Sequence, residues 1–240
     1  MSEEEIPQAP VLTWNGTEWV PTMEVSDDDS GDNGDAIPDS DLYYRVDEGE
    51  GSTLNDGQGS NDGDVQGSTT WVANEDFDGG FYLQMGDDGV VQSARNIDPL
   101  SDSFSIGIRI NADENYDGDG AYAWTLGDGS GGKTLVFDNN DIAQHGWDGS
   151  SSDGGYYGSQ PSAPFTVELL TTVEDGVWDG LWIDEVEQTD FDESLSNTTT
   201  SDEFSWGNRD DLARDGGLGI DAIAVWEDEV IDPDDYFGAI

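Results

Sequence analysis

The sequence predicts an all-β protein, a sandwich of two antiparallel sheets. Residues 103–111, SFSIGIRIN, carry an apolar side chain at nearly every second position, which is the period of a β-strand. Residues 164–172, PFTVELLTT, show the same alternation. Short strands separated by turns rich in Gly, Asp and Asn are typical of sandwiches and jelly rolls. Shorter segments of this kind are Leu42–Val46, Thr69–Val72, Phe81–Met85, Lys133–Phe137, Ile142–Gly146 and Leu181–Ile183.

The segment GIDAIAVWED, residues 219–228, predicts a strand in the middle of a sheet. Alternation gives it two apolar faces, one with Ile220, Ala222, Ala224 and Trp226 and the other with Ile223 and Val225. A strand that is apolar on both faces is covered on both sides. The segment DPDDYFGAI that follows predicts one short helix, with Asp232 as its N-cap and Pro233 in its first turn.

Three regions are predicted along the chain. Residues 1–25 contain PVLTWNGTEWVPT, in which Trp14 and Trp19 flank an Asn-Gly turn signal, and this pattern predicts a small β-hairpin. Residues 26–41 are mostly Asp, Ser and Gly, a composition typical of a solvated acidic linker. Residues 42–240 carry the strand patterns and are predicted to form one sandwich domain.

Acidic residues dominate the charge of the chain. Asp and Glu total 56 against 6 Lys and Arg, which gives a formal net charge of −50. Repulsion of this size destabilises a compact state in dilute buffer, whereas at molar salt the Debye length falls to about 3 Å and most of the repulsion is screened. A disordered acidic chain is disfavoured because 34% of the residues are hydrophobic. We therefore interpret the chain as a folded halophilic protein and expect its fold to be lost in dilute buffer.

The composition also argues against several partners and sites. Six scattered basic residues form no basic patch, so nucleic-acid binding is not expected. The absence of cysteine excludes disulfides and thiolate metal sites. No apolar run approaches the roughly 20 residues of a membrane span. The segment MSEEEIPQAP lacks the basic and apolar regions of a signal peptide, so we expect synthesis without a secretory signal.

Several motifs follow one another in a recognisable order. YYRVDEGEGSTLNDGQGSNDGD joins an aromatic strand to an Asp-Glu-Gly turn and a polar loop, and GGFYLQMGDDGVVQS reads as a Gly-rich strand pair. GLWIDEVEQ is similar to a late hairpin with Asp-Gly at its turn, although Glu185 replaces the glycine, and IDAIAVW is similar to a final strand. Together they resemble the laminin-G-like domain. The resemblance implies a concanavalin A-like jelly-roll β-sandwich over residues 42–240.

Two sets of oxygen ligands are candidate calcium sites. The segment DENYDGDG places Asp113, Asn115 and Asp117 at alternate positions, as in loops whose oxygens converge on Ca²⁺; the alternative is a hydrated acidic loop. The laminin-G-like resemblance implies a different structural Ca²⁺, near the first long loop and the final strand. The positions that match that site are Asp56, Asn61 and Asp221.

No catalytic pattern is found. Glucanases of the same superfamily carry closely spaced acids on one face of a strand. That spacing is absent here, because Glu185 and Glu187 have no third acid in the required place. The single histidine, His145, has no Ser or Cys partner arrangement in the sequence. We therefore expect a protein that is not an enzyme.

The segment GDGSGGKT matches the spacing of a phosphate-binding loop. Gly127, Gly132, Lys133 and Thr134 occupy the required positions. A working phosphate loop opens a helix, but the residues that follow, KTLVFDNND, are β-branched and aromatic and end in turn residues. A hairpin turn is therefore the better interpretation.

A long Gly/Ser-rich segment carries the candidate ligand-binding residues. Residues 144–164, QHGWDGSSSDGGYYGSQPSAP, are predicted to form a loop that bears Trp147, Tyr156 and Tyr157. Aromatic side chains on a polar loop stack on sugar rings or other partners. The alternative is that they pack over the edge of the sandwich.

The segment PVLTWNGTEWVPT also resembles a short repeat found near the attachment region of phage tail and neck fibres. A lone two-stranded hairpin is marginal in water, and exposed Trp side chains favour a partner. We therefore predict that Trp14 and Trp19 are assembly residues. They would join residues 1–41 to other virion proteins and to copies of the chain in a homo-oligomer.

The leading functional hypothesis combines these features. It is a non-enzymatic virion structural protein of a haloarchaeal virus, a fibre, turret or spike assembled in the host cytoplasm. Its lectin-like domain would attach the particle to a host surface glycan or S-layer glycoprotein. The main alternative is a cellular halophilic carbohydrate-binding module at the surface of a halophilic archaeon. A glucanase-type enzyme is disfavoured because the acid pattern is missing.

Overall fold

The computed structural model of the chain describes residues 12–14, 19–21, 40–74, 80–97, 102–114, 116, 121–128, 131–138, 141–147, 152–188, 203–207 and 217–237. The chain divides into two compact units, Met1–Asp35 and Ala36–Ile240. In the first unit, β1 (Leu12–Trp14) and β2 (Trp19–Pro21) pair antiparallel, with Trp14 opposite Trp19. The predicted N-terminal hairpin therefore forms.

The regular secondary structure of the described residues in the second unit is β-strand, apart from one short helix. The strands that open it are β3 (Leu42–Tyr44), β4 (Thr53–Leu54), β5 (Gly63–Gln66), β6 (Thr69–Ala73), β7 (Phe81–Met85), β8 (Val90–Asn96) and β9 (Phe104–Ala112). The middle strands are β10 (Ala121–Asp128), β11 (Gly131–Asp138), β12 (Asp141–Trp147) and β13 (Ser152–Ser159). The last elements are β14 (Phe165–Glu174), β15 (Val177–Ile183), β16 (Val186–Glu187), β17 (Glu203–Gly207), β18 (Leu218–Glu227) and the helix α1 (Pro233–Phe237).

These strands form two antiparallel sheets that enclose one core. Sheet 1 has the order β13-β12-β11-β10-β17-β8-β5-β4, and sheet 2 has the order β16-β15-β14-β9-β18-β7-β6, with β3 also paired to β18. The predicted alternation of β9 is confirmed, because Phe104, Ile106, Ile108 and Ile110 are all buried in the core. The prediction of an all-β, jelly-roll-like sandwich is confirmed.

The predicted faces of β18 need one correction. The strand lies between β9 and β7 and is buried along its length, as a strand with two apolar faces should be. However, its register shifts between Ile220 and Ala222, so Ile220 joins Ile223 and Val225 in the core between the sheets. The strict alternation that placed Ile220 with Trp226 is wrong, since a bulge adds one residue and reverses the faces.

The prediction of a long loop over residues 144–164 is also wrong. The strand β12 continues to Trp147, and β13 pairs with it antiparallel from Asp141 opposite Ser159 to Trp147 opposite Ser152. The Gly and Ser residues of β13 suggested a loop because they bury little apolar surface. They are tolerated in β13 because it is an edge strand whose pairing depends on backbone hydrogen bonds.

The segment that matched a phosphate loop is a β-hairpin, as expected. The strands β10 and β11 pair antiparallel from Ala121 opposite Phe137 to Asp128 opposite Gly131, with a register shift between Tyr122 and Trp124. No helix follows Lys133, which lies within β11. A phosphate loop opens a helix, whereas Lys133 and the residues after it form a strand, so the segment lacks the secondary structure of a phosphate loop.

The only helix among the described residues is α1, and its predicted cap is confirmed. Asp232 Oδ1 accepts a hydrogen bond from Asp234 N at 3.0 Å, which satisfies one of the free N–H groups of the first turn. At five residues, this helix is too short to cross a bilayer.

Candidate functional site

The C-terminal segment covers the outer face of sheet 2, the face turned away from the core. Ser105 in β9 anchors it, because the Ser105 hydroxyl oxygen accepts a hydrogen bond from Ile231 N at 3.0 Å. Tyr236 of α1 lies over Gly107, where an added Cβ would come within 2.3 Å of the tyrosine ring. Tyr236 is buried and packs edge-on against Trp226, with ring centroids 5.9 Å apart. The helix is therefore held firmly against the sheet.

A groove of about 470 Å³ lies between α1 and the turn that joins β15 to β16. Two of its lining residues are aromatic and half-buried, and three others are exposed acids. We call it the aromatic groove and define it by Trp182, Glu185, Asp232, Pro233, Asp234 and Phe237. Its volume falls within the usual range for small-molecule sites.

A glycine fixes the position of Trp182 in the aromatic groove. An added Cβ at Gly180 would lie 2.1 Å from the Trp182 ring, so no larger residue fits beneath the indole. Trp182 and Phe237 both pack against the apolar cluster of Leu170, Ala224, Trp226, Ile231 and Tyr236. The aromatic groove therefore has a rigid apolar floor.

The turn that supplies Glu185 is backbone-strained. Asp184 has φ of 47° and Glu185 has φ of 67°, in the left-handed region that favours glycine. The hairpin still forms, with Ile183 opposite Val186, so the glycine of the laminin-G-like pattern is not needed for its geometry. Two hydrogen bonds hold the turn, from Glu168 N to Asp184 Oδ1 and from Asp184 N to Glu168 O, each at 2.9 Å. Strain of this kind is concentrated at functional sites.

A charged cluster beside the aromatic groove ties three strands together. Arg109 in β9 donates to Glu168 Oε1 in β14 from Nε at 2.9 Å and from Nη2 at 2.7 Å. It also donates from Nη1 to Asp221 Oδ2 in β18 at 3.2 Å. Burial opposes the charge on Arg109, but the two carboxylates outweigh it and raise the arginine pKa. Because Glu168 also bonds the turn of Asp184, this cluster positions the wall of the aromatic groove.

The chemistry of the aromatic groove suits a polyhydroxylated ligand. Indole and phenyl faces present apolar surface to the C–H side of a sugar ring. The exposed carboxylates of Glu185, Asp232 and Asp234 accept hydrogen bonds from hydroxyl groups. No lysine or arginine is among the described residues that line it, so these residues offer no cation to an acidic ligand.

The structure brings together two of the three residues that the resemblance matched to calcium. Asp56 Oδ2 accepts bonds from Asn61 N at 3.1 Å and from Asn61 Nδ2 at 3.4 Å, and its Oδ1 accepts from Tyr43 N and Gln58 N. Burial opposes the charge on Asp56, but these bonds outweigh it and lower the pKa of the carboxyl. Asp221 instead faces Arg109. The described residues contain no group of three acidic, His or Cys side chains arranged for a metal, and the calcium site stays a prediction.

The other predicted site residues are only partly described. Asp113 accepts a backbone hydrogen bond from Tyr116, while Asn115 and Asp117 lie outside the described residues. Trp147 ends β12 and Tyr156 and Tyr157 lie in β13, with side chains outside the described set. The same holds for Trp14 and Trp19 in the hairpin. Their predicted ligand-binding and assembly roles stay predictions.

Sequence reasoning missed the aromatic groove. Trp182 was visible in GLWIDEVEQ and Phe237 in DPDDYFGAI, but they are 55 positions apart. Glu185 could have indicated the site from the sequence alone. A bulky residue at a turn position that usually holds glycine indicates that a strained backbone conformation is kept there.

Comparison with known proteins adds evidence on the fold. No family model matches the chain, and no curated protein matches it. Trypanosoma rangeli sialidase in complex with sialic acid matches with a TM-score of 0.61 at 14% identity, over 81% of this chain and 31% of that one. The binding domain of botulinum neurotoxin DC in complex with rat synaptotagmin II gives 0.60 at 15% identity, over 82% and 50%.

A third solved structure agrees with these two. The binding domain of botulinum neurotoxin serotype G matches with a TM-score of 0.62 at 10% identity, over 83% of this chain and 50% of that one. The chain thus spans at most about half the length of these three proteins. At such low identity the likeness shows a shared fold. The second unit is a jelly-roll-like β-sandwich similar in fold to these sialidase and toxin-binding-domain structures.

Proposed function

We propose that this chain is a non-enzymatic, lectin-like attachment protein that binds neutral glycans in the aromatic groove. The aromatic groove is the observation that carries this proposal. It joins two aromatic faces to hydroxyl-accepting carboxylates on a rigid floor. Members of the compared fold include a sialidase in complex with sialic acid. A carboxylate-bearing sugar of that kind is disfavoured here, because the described residues of the aromatic groove offer acceptors and no cation.

The absence of catalysis is part of the proposal. A glycosidase needs one carboxylic acid whose pKa is raised by burial, so that it can protonate the leaving group. Glu185 and Asp234 in the aromatic groove are exposed. Asp232 Oδ1 is engaged as the cap of α1. These environments favour binding over hydrolysis.

The finer proposal concerns where the protein acts. We infer that residues 1–41 attach the chain to a particle of a haloarchaeal virus, as a fibre, turret or spike, and that the sandwich contacts a host surface glycan or S-layer glycoprotein. The hairpin with Trp14 opposite Trp19 supports this, as does the charge of −50, which suits molar salt. A laminin-G-like family membership and a structural Ca²⁺ belong to the same proposal.

Binding is tested by calorimetry of the full chain in about 3 M salt, the regime in which surface charges are screened. Neutral oligosaccharides should bind, and sialylated ones should bind at least tenfold more weakly. Trp182→Ala should abolish binding. Trp71→Ala is the matched control, because Trp71 is a half-buried tryptophan in β6 at the opposite edge of sheet 2. Equal binding by wild type and Trp182→Ala would refute the aromatic groove as the site.

The strained turn gives a second test of the site. Glu185→Gly places at the left-handed position the residue that adopts it without strain. The variant should be at least as stable as the wild type and yet bind the glycan more weakly, since one acceptor is lost. A variant that gains stability with full affinity would show that Glu185 does not contact the ligand.

Attachment is tested by light scattering of the full chain at the same salt. We expect a defined oligomer, and a monomer when Trp14 and Trp19 are both replaced by alanine. A wild type that binds glycan as a monomer would instead favour the cellular carbohydrate-binding module. Release of reducing sugar from any bound glycan would contradict the non-enzymatic proposal.

A further inference from the structure

The single lysine of the chain is buried in the core of the sandwich. Lys133 lies in β11, two residues before Leu135 and four before Phe137, and both of these face the core. Side chains at every second position of a strand share one face, so Lys133 points inward with them. It is 1% exposed.

The ammonium group of Lys133 lies against an aromatic ring. Its Nζ is 5.7 Å from the ring centroid of Trp178, which belongs to the opposite sheet. Trp178 in turn lies 5.3 Å, centroid to centroid, from Trp124 of β10. Among the described residues, the ion pairs involve Arg45 and Arg109 and none reaches Lys133. A ring face compensates a desolvated cation only in part.

Buried polar atoms without a hydrogen-bond partner lie on the same stretch of the core. Gln144 in β12 is 0% exposed, and neither its Oε1 nor its Nε2 has a hydrogen-bond partner. The Nε1 of Trp124 is also without a partner. Leu135 in β11 is directly opposite Gln144 in β12 and directly opposite Trp124 in β10. The three side chains therefore share the inner face of the sheet. Lys133 is one diagonal step from Gln144, a Cα separation of about 7–8 Å.

These groups are mostly hydrogen-bond donors around one buried positive charge. An ammonium has only donors, and so has an indole N–H, while the glutamine adds an amide N–H₂. Buried charges in proteins are paired, and buried polar groups are hydrogen-bonded. A small anion would satisfy the ammonium and both N–H groups together. Water would satisfy the N–H groups but leave the charge uncompensated.

We propose that Lys133, Gln144 and the Trp124 indole N–H form an internal binding site for a monovalent halide ion, with chloride as the ordinary occupant. The site lies between the sheets and is distinct from the aromatic groove. A ligand bound only by the folded state stabilises it in proportion to the logarithm of its concentration over Kd. At molar chloride even a weak site is filled. The same salt that screens the acidic surface would therefore supply the counterion of Lys133.

Two measurements on the full-length wild type test the proposal without any mutation. Crystals grown in sodium bromide should give an anomalous peak within hydrogen-bond distance of Lys133 Nζ. With ¹³C-labelled lysine the protein has one lysine spectrum, and its ε-carbon signal should shift saturably when gluconate is replaced by chloride at constant ionic strength. No peak and no saturable shift would overturn the proposal.

Variants separate the halide from a rival counterion. The backbone of Asp153 in β13 pairs with that of Gly146, which pairs with that of Lys133, so Asp153→Asn tests whether the chain itself supplies the countercharge. The melting temperature of the wild type should rise with chloride at constant ionic strength. This response should vanish in Lys133→Met and persist in Asp153→Asn and in Arg45→Gln, whose arginine is half-exposed. If the ε-carbon signal of Lys133 did not change with halide but shifted in Asp153→Asn, the countercharge would belong to the protein. That result would overturn the proposed halide site.

Discussion

The outer face of sheet 2 and the space between the sheets each hold a cation that is largely removed from solvent, and they compensate its charge in opposite ways. On the outer face of sheet 2, Arg109 is flanked by Glu168 and Asp221, whose oxygens lie 2.7 Å and 3.2 Å from its guanidinium nitrogens. Between the sheets, Lys133 is more deeply buried and contacts a tryptophan ring, and none of the ion pairs among the described side chains involves it. The pKa shifts have opposite directions, raised for Arg109 and lowered to about 8 for Lys133.

The charges of Arg109 and Lys133 are therefore compensated by different means. Arg109 joins three adjacent strands, so its cost of desolvation is offset by hydrogen bonds that also fix the sheet register. Lys133 joins nothing in the described chain by hydrogen bond or ion pair, and burial lowers its pKa. The first cation is part of the architecture, and the second is the one for which we propose a halide counterion.

Removing Arg109 should have the largest effect. Arg109→Met leaves Glu168 and Asp221 as uncompensated carboxylates, and Asp221 is 4% exposed. Breaking a buried pair from one side costs about 3–5 kcal/mol, and salt screens such groups weakly. Urea unfolding in molar KCl should show this loss. A loss below about 1 kcal/mol would mean that the guanidinium is not needed to compensate the two acids.

Lys133→Met should have the second-largest effect and should stabilise the fold, whereas Arg109→Met destabilises it. In halide-free medium, wild-type Lys133 is charged in both states below pH 8, so the cost of burying the charge is fully present there. As pH rises from about 8 towards the ordinary lysine value of 10.5, the folded state loses its proton first and the wild type gains about 3 kcal/mol relative to Lys133→Met. Urea unfolding of both proteins across this range measures the difference.

The difference in unfolding free energy between wild type and Lys133→Met is measured, and not the wild type alone, because tyrosines titrate in the same pH range. Burial raises the pKa of Tyr43 and of Tyr236, so both destabilise the fold at high pH. Their contribution is the same in wild type and variant and cancels. A flat difference between pH 7 and 11 would contradict the assignment of a depressed lysine pKa.

Gly107→Ala should have an intermediate effect and concerns the outer face. The added Cβ would meet the Tyr236 ring at 2.3 Å and push α1 off the sheet. Overpacking of this kind costs about 1–3 kcal/mol, and glycan binding should weaken because Phe237 moves with the helix. Gly57→Ala is the matched control, since its Cβ would make an ordinary contact at 3.5 Å with Tyr43. Similar losses in both variants would show that α1 is not rigidly seated.

The sequence predicted the frame of the molecule because the frame depends on local periodicity. The alternation in residues 103–111 and the cap at Asp232 were readable, and both are observed. The face of Ile220 was misplaced because a bulge is set by pairing with β9, which a single strand does not encode. The loop predicted over residues 144–164 failed because an edge strand needs little apolar surface.

The sites were harder to predict because they depend on partners distant in sequence. Arg109 and Asp221 are 112 positions apart, and only the order β14-β9-β18 brings them together. Lys133 was assigned to the predicted strand Lys133–Phe137 and to a phosphate-loop spacing that was set aside in favour of a hairpin turn. Its place among alternate apolar residues, KTLVF, was a signal of burial that the glycine pattern obscured. Position along a strand was therefore the better guide to its environment.

Arg45→Gln should have the smallest effect and completes the comparison with an exposed cation. Arg45 Nε lies 3.9 Å from Asp47 Oδ2, and both side chains are 46% exposed. Exposed pairs of this kind contribute about 0–1 kcal/mol, and at molar salt the Debye length of about 3 Å is shorter than their separation. Unfolding in 3 M KCl should therefore not distinguish this variant from wild type within about 0.5 kcal/mol. If Arg45→Gln were instead as costly as Arg109→Met, burial would not be what separates the cations, and the distinction between the two faces would have to rest on net charge alone.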